Sequence, residues 1–216
     1  MINSGKDIFI ISGLARHGKD TACEILRDNF NLNFKSSSQA ALDIFLFDVL
    51  NNKYGKNYKT KQEAFEDRVN NRELWHREIA LYNADSGYKL AHGIFKDNDI
   101  YCGMRSIREL EATKAWANVV GKRLHTIWVD ASLRFTELTE TAESIDITSH
   151  DCEYILLNNY GLDELYNECY KLITYLSRKN TLDMILARGI DYLVDAEYTE
   201  YRHDIKPLLY EALWNE

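Results

Sequence analysis

The segment Gly13-Leu14-Ala15-Arg16-His17-Gly18-Lys19-Asp20-Thr21 holds the residues whose types and spacing best suit chemistry. Two glycines with four residues between them let a backbone turn tightly, so that its N–H groups point inward and cradle an anion with the following helix N-terminus. A lysine straight after the second glycine can reach the β- and γ-phosphates of a bound ATP. The usual next residue is Ser or Thr, whose hydroxyl binds magnesium. Here Asp20 comes first and then Thr21, so either Asp20 helps to hold the metal, through water if need be, or Thr21 supplies the hydroxyl. Arg16 either faces solvent or sets its guanidinium fork on phosphate oxygens. The bland alternative is a tight strand–helix turn with a solvated lysine.

The pattern means most where a strand enters the loop and a helix leaves it. Ile8-Phe9-Ile10-Ile11 reads as that strand and Asp20 to Asn29 as that helix. Further apolar runs at Asp99–Met104, Thr126–Val129 and Tyr154–Leu157 predict buried strands, with a weaker edge strand at Asn31–Phe34. Helical rhythm predicts helices over Ser38–Asn51, Thr60–Tyr82, Ser86–Lys96, Ile107–Val119 and Leu162–Ser177. Thr60-x-x-Glu63 opens the second like a capping box. Residues 180–216 read as helical throughout. Strands alternating with helices imply an α/β fold with a mostly parallel sheet covered on both faces.

Ligands of such sheets bind beyond the carboxyl ends of the strands. Ser36, Ser37, Ser38 and Gln39 follow the weak strand and either contact an acceptor or cap the next helix. Asp67, Arg68 and Arg72 fall in the long predicted helix, where Arg68 and Arg72 share a face that suits an acceptor phosphate or simply solvent. Trp75 either stacks on a base or sits in the core. His76, Tyr82 to Asp85, and Arg105 border the same expected cleft. Asp130 ends a strand, and Arg134 opens a loop with Thr136, Glu137, Thr139, Thr141 and Ser144, where a nucleotide kinase carries its lid. An alcohol acceptor benefits from a carboxylate that takes its proton, and Asp67, Asp85 and Asp130 are candidates. An acceptor phosphate is already anionic and needs none.

The loop resembles that of bacteriophage deoxynucleoside monophosphate kinases, whose pattern Gly-x-x-Arg-x-Gly-Lys-Asp-Thr matches Gly13, Arg16, Gly18, Lys19, Asp20 and Thr21. Ile155 to Leu165, with Asn158-Asn159-Tyr160-Gly161, is similar to the end strand and loop of those enzymes. The resemblance spans roughly residues 7–175. It implies a P-loop kinase-type three-layer sandwich, ATP and Mg2+ as cofactors, and Asn159 with Asn158 bordering the adenine pocket. The expected organisation is a kinase-like domain over 1–178, with a helical acceptor region at about 38–97 and a lid at about 132–150. A helical extension over 179–216 follows. Those kinases often show Asp-x-Arg after the middle strand, where this chain has Gly103-Met104-Arg105. That departure, with Phe65–His76, resembles a second phage branch that phosphorylates 5-hydroxymethyl-deoxyuridine in DNA.

The net charge of -8 argues against a general polyanion binder, so any nucleic acid needs a local basic groove. Cys23, Cys102, Cys152 and Cys169 form no Cys-x-x-Cys pair and read as reduced core thiols. No apolar run approaches the ~20 residues of a membrane span. The expectation is a cytoplasmic protein, in host cytoplasm if phage-encoded, without membrane partners and with a homodimer as a possible assembly. Its expected partner is a deoxynucleotide, free or within DNA. The reading is a kinase of deoxynucleoside monophosphates. The alternatives are a kinase of hydroxymethyl pyrimidine in DNA and a nucleotide-binding switch without transfer activity.

Overall fold

The computed structural model of the protein describes residue 2, residues 6–135 and residues 145–188, with 184–188 by backbone alone. Thr136 to Ser144 of the expected lid, and the expected extension beyond 188, lie outside the described residues. Contacts divide the chain into two units, Asn3–Cys169 and Met1–Ile2 with Tyr170–Glu216.

The first unit is built on β1 (Asp7–Ser12), α1 (Lys19–Phe30), β2 (Phe34–Ser36), α2 (Ser37–Ala41), α3 (Phe47–Asn52), α4 (Lys61–Glu66), α5 (Arg72–Tyr82), α6 (Lys89–Ile94), β3 (Ile100–Cys102), α7 (Ile107–Val119), β4 (Arg123–Asp130) and β5 (Tyr154–Leu157). The chain continues in α8 (Leu162–Arg188), which runs past the predicted end at Ser177. The five strands lie in the order β2-β3-β1-β4-β5. All four pairings are parallel, with Ile10 opposite Tyr101 on one side and Thr126 on the other. The architecture is the expected α/β sheet flanked by helices. Every residue of β1 is buried, as a central strand covered on both faces requires. Ile8, Ile10, Leu42, Leu46, Leu50, Trp75, Leu90, Tyr101 and Leu110 belong to one core cluster.

Three boundaries differ from the sequence reading. The weak second strand falls two to three residues later, at Phe34–Ser36. The predicted helix over Ser38–Asn51 contains a π-helical turn at Leu42–Leu46 between α2 and α3. The predicted helix over Thr60–Tyr82 is broken by a 3-10 turn at Asp67–Asn70 and by non-helical Asn71, with φ -130 and ψ 27. The break has a local cause. The side-chain amide of Asn71 donates to the Asp67 backbone carbonyl at 3.0 Å, taking the place of its own backbone N–H in the helical ladder, while the Asp67 carboxylate accepts from Asn70 and Asn71. The Thr60 cap does form, with its hydroxyl accepting from the Glu63 amide at 3.1 Å. The Glu63 carboxylate reaches back to the Lys59 amide instead of that of Thr60.

At the amino end of the sheet, Asp7 is fully buried and receives both Arg123 (2.8 and 2.7 Å) and His125 (3.0 Å). A cavity of about 220 Å³ lies at this end, lined by Ile8, Asn33, Asp99 and Lys122 among others. In the second unit, the described part of α8 carries a Thr181 hydroxyl bonded to the Ser177 carbonyl at 2.9 Å. All four cysteines are free. No helix among the described residues is long and apolar enough to cross a membrane.

Candidate active site

β1 delivers the chain into the glycine loop at the carboxyl edge of the sheet. Gly13 has φ 148, and a Cβ there would lie 2.6 Å from the Val129 carbonyl oxygen of β4. Gly18 has φ 97, and a Cβ there would lie 2.5 Å from the Asn158 amide nitrogen. Both positions therefore need glycine, for backbone conformation and for space. Arg16 also adopts a left-handed conformation, with φ 65, at the exposed crest of the loop. Gly18 caps α1 without a side-chain bond, so the first turn of α1 opens on the loop through its backbone amides. The Lys19 ammonium donates across the loop to the Leu14 carbonyl at 2.6 Å.

Two side chains hold the loop from behind. His17 is 2% exposed and its Nδ1 accepts from the Ala131 amide at 3.0 Å, so the ring supports the loop from the interior. Asn158, 6% exposed, donates to the His17 carbonyl at 3.0 Å. Arg134 in turn donates to the carbonyl and side-chain oxygens of Asn158, each at 3.2 Å. Asn159 accepts from the Leu133 amide at 3.0 Å and so ties the β5 end to the start of the expected lid.

In front of the loop lies a cavity of about 870 Å³. Its lining includes Arg16, Lys19, Arg68, Arg72, Arg105 and Arg108 against Asp20, Glu73, Glu109 and Asp146. The chain is acidic overall, but this hollow gathers positive charge. Arg68 donates to the Ser38 hydroxyl at 2.5 Å and stacks over Phe65 at 4.9 Å. Burial, and then the charges of Arg72 and Arg105, push its guanidinium below the ordinary value. Guanidinium groups repelling one another in a half-buried site are poised for an anion. Arg68 and Arg72 thus converge across a break in the helix, not along one helical face. Asp20 faces the same cavity and accepts from the Cys102 thiol at 3.4 Å. Ser36, Ser37, Trp75 and His76 also line it. Ser36 doubles as the N-cap of α2, accepting from the Gln39 amide at 3.3 Å. Trp75 is a core residue, 2% exposed and edge-on to Phe65.

Other expected site residues lie elsewhere. Among the described residues lining the cavity, Thr21, Gln39, Asp67, Asp85, Asp130, Arg134 and Asn159 do not occur. Of the two metal candidates, only Asp20 faces it. Asp67 binds Tyr58, Asn70 and Asn71, and these bonds hold its carboxyl below the ordinary carboxylate range. It braces the helix break instead of facing an acceptor. Asp85 is exposed beyond α5. Asp130 accepts from the amide and hydroxyl of Ser132.

Among the lining residues that escaped the sequence reading are three charged ones, Asp146, Arg108 and Glu109. Asp146 accepts from the Ile107 amide and so caps α7 from a distant segment. Arg108 donates to the Ala84 carbonyl at 3.0 Å. Glu109 is 6% exposed and accepts from the Tyr101 hydroxyl at 3.1 Å. Burial pushes its carboxyl up to about 7, against the pull of the Tyr101 hydroxyl and the nearby Asn83 amide. A carboxylate in the first turn of a helix reads as a surface group favoured by the dipole, which hid its burial.

No family model matches the sequence, and no curated protein matches it. Among solved structures, a dephospho-CoA kinase from Campylobacter jejuni is similar at 16% identity. The match covers 80% of this chain and 98% of that one, with a TM-score of 0.42.

Proposed function

We propose that this chain is a P-loop phosphotransferase that moves the γ-phosphoryl group of ATP to the phosphate of a deoxynucleoside monophosphate. One observation carries the reading. The loop that ends in Lys19 and Asp20 opens on the same cavity as Arg68, Arg72 and Arg105. A donor cradle and a second anion site therefore share one hollow. Phosphoryl transfer is mainly positioning and neutralisation of charge between two anions. In this reading Lys19 leaves the Leu14 carbonyl for the β- and γ-phosphates. Arg68, with Ser38 behind it, and Arg72 hold the acceptor phosphate. Arg105, which lines the same cavity and repels Arg68, adds positive charge for the transferring group. Magnesium takes oxygen ligands, often one or two carboxylates plus phosphate oxygens. Asp20 fits that role, and the ion would supply neutralisation of the transferring group. The resemblance of Gly13–Thr21 and Ile155–Leu165 to phage deoxynucleoside monophosphate kinases supports the choice of acceptor.

A second reading is phosphorylation of a hydroxymethyl pyrimidine in DNA. One observation favours it. After β3 the chain carries Gly103-Met104-Arg105, the departure that resembles the second phage branch, and Gly103 and Arg105 both line the cavity. The test is labelled ATP offered with free deoxynucleoside monophosphates and, separately, with DNA containing 5-hydroxymethyl-deoxyuridine. Label on the free nucleotides is expected. Label on the DNA alone replaces the first reading by the second, and label on neither, with ATP bound, removes both.

A further inference from the structure

The two arginines assigned to the acceptor phosphate flank a piece of chain that is tied down from outside the cavity. Tyr58 and Asp67 do not occur among the described residues lining it. They bond each other instead, the Tyr58 hydroxyl donating to the Asp67 carboxylate. The same carboxylate accepts from the side-chain amides of Asn70 and Asn71, each at 2.7 Å. Asn71 also donates to the Asp67 carbonyl at 3.0 Å, and its side-chain oxygen accepts from the Lys56 ammonium at 2.7 Å. Tyr58 is itself fastened to α3. Its backbone N–H donates to the Asn51 side-chain oxygen at 2.8 Å, and its carbonyl accepts from the Asn51 amide at 3.1 Å. A run of bonds therefore leads from α3, through Tyr58 and Asp67, to the backbone that carries Arg68 and Arg72.

A carboxylate next to Arg68 in the chain is well placed to neutralise either arginine, yet among the described residues Asp67 forms an ion pair with neither. Three uncharged donors occupy it, which leaves the guanidinium charge to an external anion. Tyr58 stays a donor, since burial, and then the Asp67 carboxylate, push its hydroxyl up to about 12. The two arginines are also held unequally. Arg68 has the Ser38 hydroxyl and the Phe65 ring as partners. Arg72 forms no hydrogen bond or ion pair among the described residues, so the backbone of the break alone aims it at the cavity. Groups that bind a reacting ligand keep their geometry only when the residues behind them are locked by packing and hydrogen bonds. We propose that Tyr58 and Asp67 are positioning residues for the anion bound in this cavity, acting chiefly through Arg72. The inference rests on the reading of that anion as the acceptor phosphate, and it adds what aims the cations that receive it.

The test compares Tyr58→Phe and Asp67→Asn with the wild type in the whole chain. Inorganic phosphate is titrated while a non-hydrolysable ATP analogue fills the glycine loop, and binding is followed through the NMR signals of the arginine side chains. The Kd for phosphate should rise about fivefold in each variant, the worth of roughly one hydrogen bond. The KM for the acceptor should rise with it, while the KM for ATP stays as in the wild type. A tie that serves the fold alone would lower the melting temperature and leave both constants where they were, and that result overturns the proposal. So does a wild-type chain that binds no phosphate. A double-mutant cycle asks whether the effect runs through Arg72. In an Arg72→Met background, Tyr58→Phe should change phosphate affinity by less than about twofold, the margin within which independent sites add. An undiminished loss in that background overturns the proposal. Phosphate binding that weakens as expected, with no label passing from ATP to any deoxynucleoside monophosphate, would sink the acceptor reading and leave this one standing. Transfer to monophosphates with the acceptor KM unchanged in both variants would do the reverse.

Discussion

The side-chain amide of Asn158, just past the end of β5, donates to the backbone carbonyl of His17 at 3.0 Å, on the spot where a Cβ on Gly18 would fall. The strand at one edge of the sheet thereby fixes the loop that leaves its centre. Asn158→Ala leaves a buried carbonyl without this partner, at a cost of about 1–3 kcal/mol. It should lower the melting temperature and weaken ATP binding together. Gly18→Ala should weaken ATP binding further, because its methyl meets the Asn158 nitrogen at 2.5 Å and its φ of 97 disfavours a side chain. Unaltered ATP affinity in both variants would show that the tie does not shape the loop.

Lys19→Ala removes a cation that bonds the Leu14 carbonyl across the loop. Transfer should fall by a factor on the order of 100 to 1,000, the usual loss for one group that stabilises developing charge. The circular dichroism spectrum should stay as in the wild type. A folded Lys19→Ala protein with full transfer activity refutes the donor assignment.

Arg68 sits half-buried among other guanidinium groups. Arg68→Met keeps much of the apolar stem over Phe65 and deletes the charge. The KM for the acceptor should rise about 10- to 100-fold, from loss of a charge-assisted bond of about 1.5–3 kcal/mol. The KM for ATP should move little. A rise confined to ATP would transfer Arg68 to the donor side.

Glu109 makes stability depend on pH in an unusual direction. Its carboxyl titrates at about 7 in the fold against an ordinary 4.5. Between those values the folded chain holds a proton that the unfolded chain has released, so stability falls as pH rises through the window, by about 3 kcal/mol at its end. Chemical denaturation at pH 5 and pH 8 should show Glu109→Gln losing less stability than the wild type over that interval. Parallel losses in the two proteins would mean that the carboxyl titrates normally.

Asp7 is fully buried with Arg123 and His125 on its oxygens. Asp7→Ala removes the buried carboxylate that Arg123 and His125 bond at the amino end of the sheet, which costs about 3–5 kcal/mol for a broken buried pair. The melting temperature should drop sharply, and a reduced yield of folded protein would agree. A change of under 1 kcal/mol, by roughly the measure of an exposed pair, would contradict the burial of this cluster.

The glycine loop was legible because its demand on the backbone is local: left-handed φ angles and close approach can be read from residue type. The apolar strands were legible for a similar reason, since continuous burial leaves a continuous apolar run. Arg68 and Arg72 were paired by helical spacing, and they do line one cavity, but through a helix break that Asp67, Asn70 and Asn71 create among themselves. The same three residues take Asp67 away from the cavity, a competition that helical periodicity does not register. Glu109 was invisible for a different reason. Its surroundings are Tyr101, eight residues before it, and Asn83, on another helix, so only the folded chain shows that a helix-start carboxylate is buried.

The anchoring of the loop also separates two rates of change. Gly13 lies against the Val129 carbonyl of β4, and Asn158 bonds the carbonyl just before Gly18, so the glycine loop is fastened to the sheet. Arg68 and Arg72, by contrast, flank the helix break, and Arg105 and Arg108 lie at the start of α7. In the proposed reading, mutations there retune what is phosphorylated while the ATP-holding loop stays intact. That reading expects close copies of the loop to accompany divergent residues at 68 and 72 in related chains.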